Sequence, residues 1–277
     1  MVAGRIGIVA RAAAAALVAA AFALPLVFMV SGSLRDPDAP PPTSFELVPS
    51  PAGFDAYGDA FDLVDLGRQV LNSLVVAAFA VPLSVLVAAW AGFAIARLPQ
   101  RARTALVAAS LAALVVPLTA LVVPRFVLYS TLGVTDTWLP LVAPALLGMS
   151  PLYVLLYAWS FSRLPHELYD ACAVEGLTPF AVWRRIAMPL VRPVTAAVAA
   201  LAFVTSWSSF LEPLVYLFDA DLYTVPLGLR QLAALDRTDY PVFLAGAVVA
   251  TVPVLAAFFV AQRYFLHEHR GAGWLGR

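Results

Sequence analysis

Six stretches of this chain are long and apolar enough to cross a hydrocarbon layer, which takes roughly 20 residues of helix. They run from Ala12 to Val30, Val70 to Ala96, Thr104 to Leu128, Leu139 to Phe161, Val194 to Phe218 and Val242 to Phe265. Backbone in lipid has no water to bond to, so spans of this kind read as helices. Composition agrees. Of the 277 residues, 62% are hydrophobic and 12% charged, whereas a soluble domain lies nearer half and a quarter. A water-surrounded core in so short a chain cannot take up that much apolar side chain. The reading is an all-α integral membrane protein with six transmembrane helices. Pro25, Pro82, Pro117, Pro144 and Pro253 fall inside the spans, where proline kinks a helix but is tolerated.

The first stretch follows Arg5 and Arg11, as in a signal peptide. Its apolar run is longer than a usual signal core and five further spans follow, so it is read as an uncleaved span.

Positive charge sets orientation. With the N-terminus inside, the inner segments hold twelve of the 17 basic residues, among them Arg97, Arg101, Arg103, Arg163, Arg184, Arg185 and Arg192. The outer segments hold Arg35, Arg68, Arg125, Arg230 and Arg237, while Asp36, Asp38, Asp55, Asp59, Asp62 and Asp65 crowd the first outer loop. Both termini are expected in the cytoplasm. The chain then divides into residues 1–69, the first span with its extracytoplasmic loop, and residues 70–277, a core of five spans containing an inner loop at 162–192. The outer loop carries the run Pro40 to Pro42, which favours extended chain.

The basic residues are all arginine. Without lysine the chain has no G-x-x-x-x-G-K-[ST] phosphate loop and no Schiff-base chemistry. Cys172 is the sole cysteine, so neither an intrachain disulfide nor a cysteine metal cluster is expected. His267 and His269 flank Glu268, but residues two apart on a helix do not share a face. That tail reads as solvated, as does Asp236–Arg237–Asp239 in the last outer loop. No metal and no cofactor are expected.

The inner loop differs in kind. Pro165 suits the first turn of a helix on which Leu168, Ala171, Cys172 and Glu175 share a face. Gly176 can end that helix in the left-handed conformation. Thr178 is a good N-cap with Pro179 at the first helical position, and Phe180, Trp183 and Ala187 form a second apolar stripe beside Ile186. Two short helices joined by a glycine turn are predicted. Periodicity leaves two uses open: an amphipathic elbow lying on the headgroups, or a docking element for a partner.

On these residues the segment resembles the cytoplasmic EAA loop of ABC-importer permease subunits, E-A-A-x-x-D-G-A followed by F-x-x-I-x-L-P. Asp170, Ala171 and Cys172 stand at E-A-A, and Glu175, Gly176 and Leu177 at D-G-A. Trp183, Ile186, Met188 and Pro189 stand at F, I, L and P. The likeness is to the carbohydrate-type, maltose-importer-like branch. Asn72 and Ser73 open the second span as there. Leu132, Gly133, Val134, Asp136 and Thr137 resemble its L-G-L-x-D-T, Trp207 to Pro213 its fifth-span W-x-x-F motif, and Gln262 to Phe265 its C-terminal end. The tail Gly271 to Arg277 departs from the family's usual ending.

The resemblance implies the type I importer permease fold in the bacterial inner membrane. It implies a second permease (a heterodimer), two ATP-binding subunits, an extracytoplasmic solute-binding protein and lipid as partners. ATP hydrolysis would belong to the separate subunits, so this chain is not expected to be an enzyme. Asp170, Ala171, Cys172, Glu175 and Gly176 would form the turn that docks on the ATPase, with Trp183, Ile186 and Pro189 anchoring the second helix. A sugar or related polyol would pass by aromatic faces and neutral hydrogen-bonding groups: Asn72, Ser73, Ser206, Trp207, Ser209, Phe210 and Glu212. Interhelical hydrogen bonding by the Asn and Ser residues, and an interfacial belt for Trp, remain the alternative uses.

Two other readings stand beside this one: a same-fold permease for another small solute, and an ion-coupled secondary carrier. The second is disfavoured by span centres nearly free of ionisable residues, with Arg125 and Glu212 toward the outer ends. An integral-membrane enzyme would need a polar catalytic cluster at one interface, and none has credible spacing.

Overall fold

The computed structural model describes residues 2–38, 49–146, 150–234 and 240–266. The run Pro40 to Pro42, Asp236 to Asp239, the His267–Glu268–His269 trio and the C-terminal tail lie outside the described residues. Among those described the chain is helical, apart from one isolated antiparallel bridge between Arg35 and Ala52. In order, the helices are α1 (Val2–Ser33), α2 (Asp55–Val64), α3 (Leu66–Ala96), α4 (Gln100–Val115), α5 (Val122–Thr131), α6 (Leu139–Leu146) and α7 (Pro151–Phe161). There follow α8 (His166–Val174), α9 (Pro179–Val182), α10 (Met188–Leu190), α11 (Arg192–Trp207), α12 (Leu211–Tyr216), α13 (Val225–Ala233) and α14 (Tyr240–Leu266).

Four segments are candidate spans by length and composition: Arg11–Ser33, Leu66–Ala96 and Tyr240–Arg263, each within one helix, and Leu139–Phe161, which takes in α6 and α7. Counting two bent pairs as one span each raises the number to six. Pro25, Pro82 and Pro253 sit within continuous helices.

The third span departs from expectation. It is not one helix from Thr104 to Leu128 but α4 followed, after an 85° bend, by the segment Leu118–Thr131. Pro117 is the cause: it has no N–H to continue the ladder and takes an extended conformation (ψ 126°). The fifth span departs too. It was expected to run to Phe218, yet α11 ends at Trp207 and a short turn leads into α12. Ser208 Oγ bonds back to Val204 O at 2.6 Å, a side-chain bond that competes with the helix ladder. Pro213 cannot donate to the carbonyl of Ser209.

The chain forms two compact units, Met1–Arg68 with Gly228–Val252, and Gln69–Leu227 with Pro253–Arg277. In the first, the buried Ser33 ends α1: its Oγ donates to Val30 O and pairs with Tyr57 Oη, each at 2.8 Å. The side chains of α1 from Arg11 onward are exposed almost to its end, as suits a helix whose surroundings are lipid or another apolar surface.

The second unit holds the larger core. Ala88, Ala89, Phe93 and Ile95 of α3, Tyr153, Tyr157 and Phe161 of α7, and Val198 and Ala202 of α11 are buried together. At the centre of the α3–α7 crossing is Gly92. A Cβ there would lie 2.5 Å from Tyr157 Cβ, 2.8 Å from Ala158 N and 2.9 Å from Val154 O. Glycine lets the two backbones meet, the usual device where helices pack in lipid.

Candidate functional site

The inner loop folds as the two predicted short helices. After α8 the chain closes a Schellman turn: Leu177 N donates to Cys172 O at 3.0 Å and Gly176 N to Ala173 O at 3.1 Å. Gly176 takes φ +70°, the left-handed conformation that such a cap requires. Thr178 Oγ1 then accepts from Ala181 N at 3.3 Å, and Pro179 begins α9. A single π-helical stretch, Trp183–Ala187, leads into α10, and the elbow meets α11 at 84°.

This elbow has an inward and an outward face. Cys172, Val182, Trp183, Ala187 and Val191 are buried in the same core as α3 and α7. The Trp183 ring lies 5.6 Å from Trp90, and Arg97 sits over the rings of Phe93 and Tyr169 at 5.3 and 4.9 Å. Ile186 packs against this core, and Pro189 is half-buried. The outward face is Asp170, Ala171, Ala173, Val174, Glu175, Gly176 and Phe180, all exposed.

Two expectations change. Leu168, Ala171, Cys172 and Glu175, read as one face, do not share one environment. Cys172 faces the core at 4% exposure, while Ala171 and Glu175 face out because the inward side of α8 runs through Leu168, Tyr169 and Cys172. Cys172 therefore holds the turn from behind and offers no docking surface. Phe180 is not buried with Trp183. It is 55% exposed, though its ring lies 5.7 Å from Trp183. Phe180 lies in the first turn of α9, ahead of the π-helical stretch that begins at Trp183. Val174, 88% exposed at the turn, has no polar feature in the sequence to mark it.

The residues read as a solute path fall into two groups. Ser73, Ser206, Ser209, Phe210 and Glu212 line a cavity of about 400 Å³ in the second unit. Asn72 and Trp207 do not. Asn72 is buried and its Nδ2 donates to Asp221 O and Tyr223 O, both at 2.9 Å. Trp207 is buried and stacks on Phe203 with ring centres 5.6 Å apart. Ser73 has both roles, since its Oγ accepts from Val225 N at 2.9 Å while it lines the cavity.

Glu212 Oε1 meets Arg125 Nη1 at 3.1 Å, joining α12 to α5, and Ser209 Oγ donates to Glu212 Oε2 at 3.3 Å. This pair is missing from the sequence reading, which placed the two residues separately. The available signal was one lone charge in each of two apolar spans, since charges in membranes pair with one another.

The segment Leu217 to Val225 beside the cavity is fastened by side chains from elsewhere. Trp138 Nε1 donates to Leu222 O at 3.1 Å. Asp136, itself at φ +59°, accepts from Phe218 N at 2.8 Å and Asp219 N at 2.9 Å on one oxygen. The N–H groups of Asp219 and Phe218 hold its carboxyl below the ordinary value of 3.8. A lowered carboxylate adds stability that is present above the ordinary value and lost as pH falls through the folded one. Thermal unfolding of the detergent-solubilised protein is expected to show Tm falling on acidification below pH 3.8. Asp136→Asn, which keeps an acceptor and tolerates positive φ, is expected to flatten that part of the profile. An unchanged profile counts against the clamp.

Bent and unbroken apolar spans, joined by a capped amphipathic elbow with an exposed turn, define a multi-pass membrane protein of the transport-subunit class. Comparison with known proteins agrees. The chain belongs to the family of binding-protein-dependent transport system inner membrane components, which matches residues 60–267. It is 33% identical to the arabinooligosaccharides transport system permease protein of Halalkalibacterium halodurans over 195 residues, 70% of this chain and 69% of the relative. It is 28% identical to the trehalose transport system permease protein of Mycobacterium tuberculosis, over 87% of this chain and 88% of the relative. In fold it is similar to a chain in the crystal structure of a bacterial ABC transporter involved in the import of the acidic polysaccharide alginate. The TM-score is 0.76 at 18% identity, covering 94% of this chain and 97% of that one. The type I permease fold implied by the sequence is the fold observed.

Proposed function

We propose that this chain is one permease subunit of an ABC importer for a sugar or related polyol, forming half of the translocation path. The elbow carries this reading: a Schellman turn whose outward face is exposed while its rear is built into the core that α3, α7 and α11 share. A push on Asp170, Glu175 or Gly176 is delivered to the spans because Cys172, Trp183 and Ala187 leave no slack between them. Ile186 and Pro189 continue that link into α11. Supporting the cargo class, the two relatives described above are named for arabinooligosaccharide and trehalose transport.

The assembly is this chain, a second permease, two ATP-binding subunits that hydrolyse ATP, and an extracytoplasmic solute-binding protein. Arginine placement supports a cytoplasmic position for both termini and the elbow. Co-purification followed by reconstitution in proteoliposomes tests this. The expected result is a stable complex whose ATP hydrolysis and sugar uptake rise with liganded binding protein. Uptake by this chain driven by an ion gradient, with no ATP-binding subunit, would favour a secondary carrier instead.

A further inference from the structure

We propose that this chain has a solute chamber of its own, the cavity walled by α3, α5, α6, α7, α11 and α12, which accepts a neutral polyhydroxylated solute. The inference rests on the importer reading above and deepens it, because a permease half need only provide a wall.

The cavity lies wholly within the second unit. Its volume, about 400 Å³, is within the roughly 300–1,000 Å³ of small-molecule sites. Its wall is rich in hydroxyls. Ser84, Thr119 and Ser206 line it, and Tyr153 Oη pairs with Thr205 Oγ1 at 3.2 Å. Such groups both donate and accept, which suits a solute whose own groups are hydroxyls. Phe210 supplies an aromatic face in the same wall.

Charge narrows the choice further. Among the described residues of the wall, Arg125 and Glu212 are the charged ones, and they meet each other at 3.1 Å. The wall is therefore neutral in sum. An anionic solute taking Arg125 would lie against the Glu212 carboxylate, and a cationic one taking Glu212 against the Arg125 guanidinium, so either meets a like charge. A sugar hydroxyl can lie against the intact pair as donor to the carboxylate and acceptor from the guanidinium. A further group in the wall calls for a partner: Thr224 Oγ1 is buried with no hydrogen-bond partner, an arrangement folded proteins seldom leave unfilled.

The experiment uses the assembled transporter with its binding protein in proteoliposomes. Lactose, trehalose and arabinotriose are offered as neutral probes and digalacturonate as the anionic one. Cys172 is buried, so Ser206→Cys gives a single accessible thiol in the cavity. The expected result is uptake of a neutral probe that also slows maleimide labelling of Ser206→Cys. Glu212→Gln, which removes the negative member of the pair and leaves the wall net positive, is expected to lower uptake per ATP hydrolysed about tenfold. The double variant Arg125→Gln with Glu212→Gln is expected to recover most of it, at equal membrane levels.

Uptake of a neutral probe with labelling unslowed and all variants unaffected overturns the chamber and leaves the importer reading standing. Digalacturonate transported in place of the neutral probes overturns the neutral-solute assignment. No uptake of any probe by an assembled, ATP-hydrolysing complex overturns the sugar reading, and this inference with it.

Discussion

Replacing Gly176 by Asn is expected to leave the protein inserted at wild-type level while uptake falls by more than about tenfold, a loss of roughly 1.4 kcal/mol in coupling. The geometry makes this a sharp test. Gly176 sits at φ +70° with nothing within 4 Å of where a Cβ would be. A side chain there meets no atom of its own chain, so any cost inside the subunit is backbone strain. Asn and Asp bear the left-handed conformation better than other residues, so Gly176→Asn carries little of that strain. What Asn does add is bulk at the tip of an exposed turn, which only an approaching partner would feel. If the turn were merely an elbow on the headgroups, Gly176→Asn would transport normally. Gly176→Asp and Glu175→Arg extend the test by changing charge on the same face. For all three, uptake, ATP hydrolysis and co-purification of the ATP-binding subunit are measured together. Uptake lost with ATP hydrolysis retained would place the fault in transmission, and co-purification lost would place it in docking.

Most of the fold was legible because its signals are local. Apolar length marks both ends of α3 and α14 and the C-terminal end of α1 to within about a turn of helix, while α1 begins earlier, at Val2. The caps of the elbow follow from Gly176 and from Thr178 followed by Pro179, each of which acts through atoms at most three residues away. What could not be read were outcomes decided at a distance. Pro82 and Pro117 look alike in sequence, yet one sits in a continuous helix and the other ends one. Each proline removes one ladder bond, and nothing in its immediate sequence says whether the helix continues past it. Asn72 resembles a solute ligand until its partners are seen on Asp221 and Tyr223, about 150 residues on. The Arg125–Glu212 pair spans 87 positions and has no local trace beyond two isolated charges. Cys172 and Phe180 stand apart for a different reason: one, read into the docking turn, is buried, and the other, read into an apolar stripe with Trp183, is exposed. A helical stripe names residues that share a face, but not which edge of that face the neighbouring helices cover.

The close approach of α3 and α7 offers the clearest stability test. Ala88, Gly92 and Ala96 stand four residues apart on α3, the small-residue spacing that brings helices together in lipid. Of the three atoms a Cβ on Gly92 would strike, at 2.5, 2.8 and 2.9 Å, two are backbone atoms of α7. Side chains can turn aside, but backbone can yield only if the whole helix moves. Overpacking costs typically about 1–3 kcal/mol, and Gly92→Ala is expected at the upper end of that range. Gly92→Val should go further, with most of the protein lost from the monodisperse fraction after solubilisation. The consequence reaches the elbow, since Phe93 next to Gly92 packs in the same core as Cys172 and Trp183. Gly92→Ala is therefore expected to lower Tm and to weaken coupling in the molecules that remain folded. Gly58→Ala, where an added Cβ meets nothing within 4 Å, is the matched control. As a helix-interior substitution it is expected to be neutral or stabilising by about 0.5–1 kcal/mol. If Gly92→Ala behaves like Gly58→Ala, α3 and α7 do not pack at this distance. The transmission route from turn to span would then have to run through α11 alone.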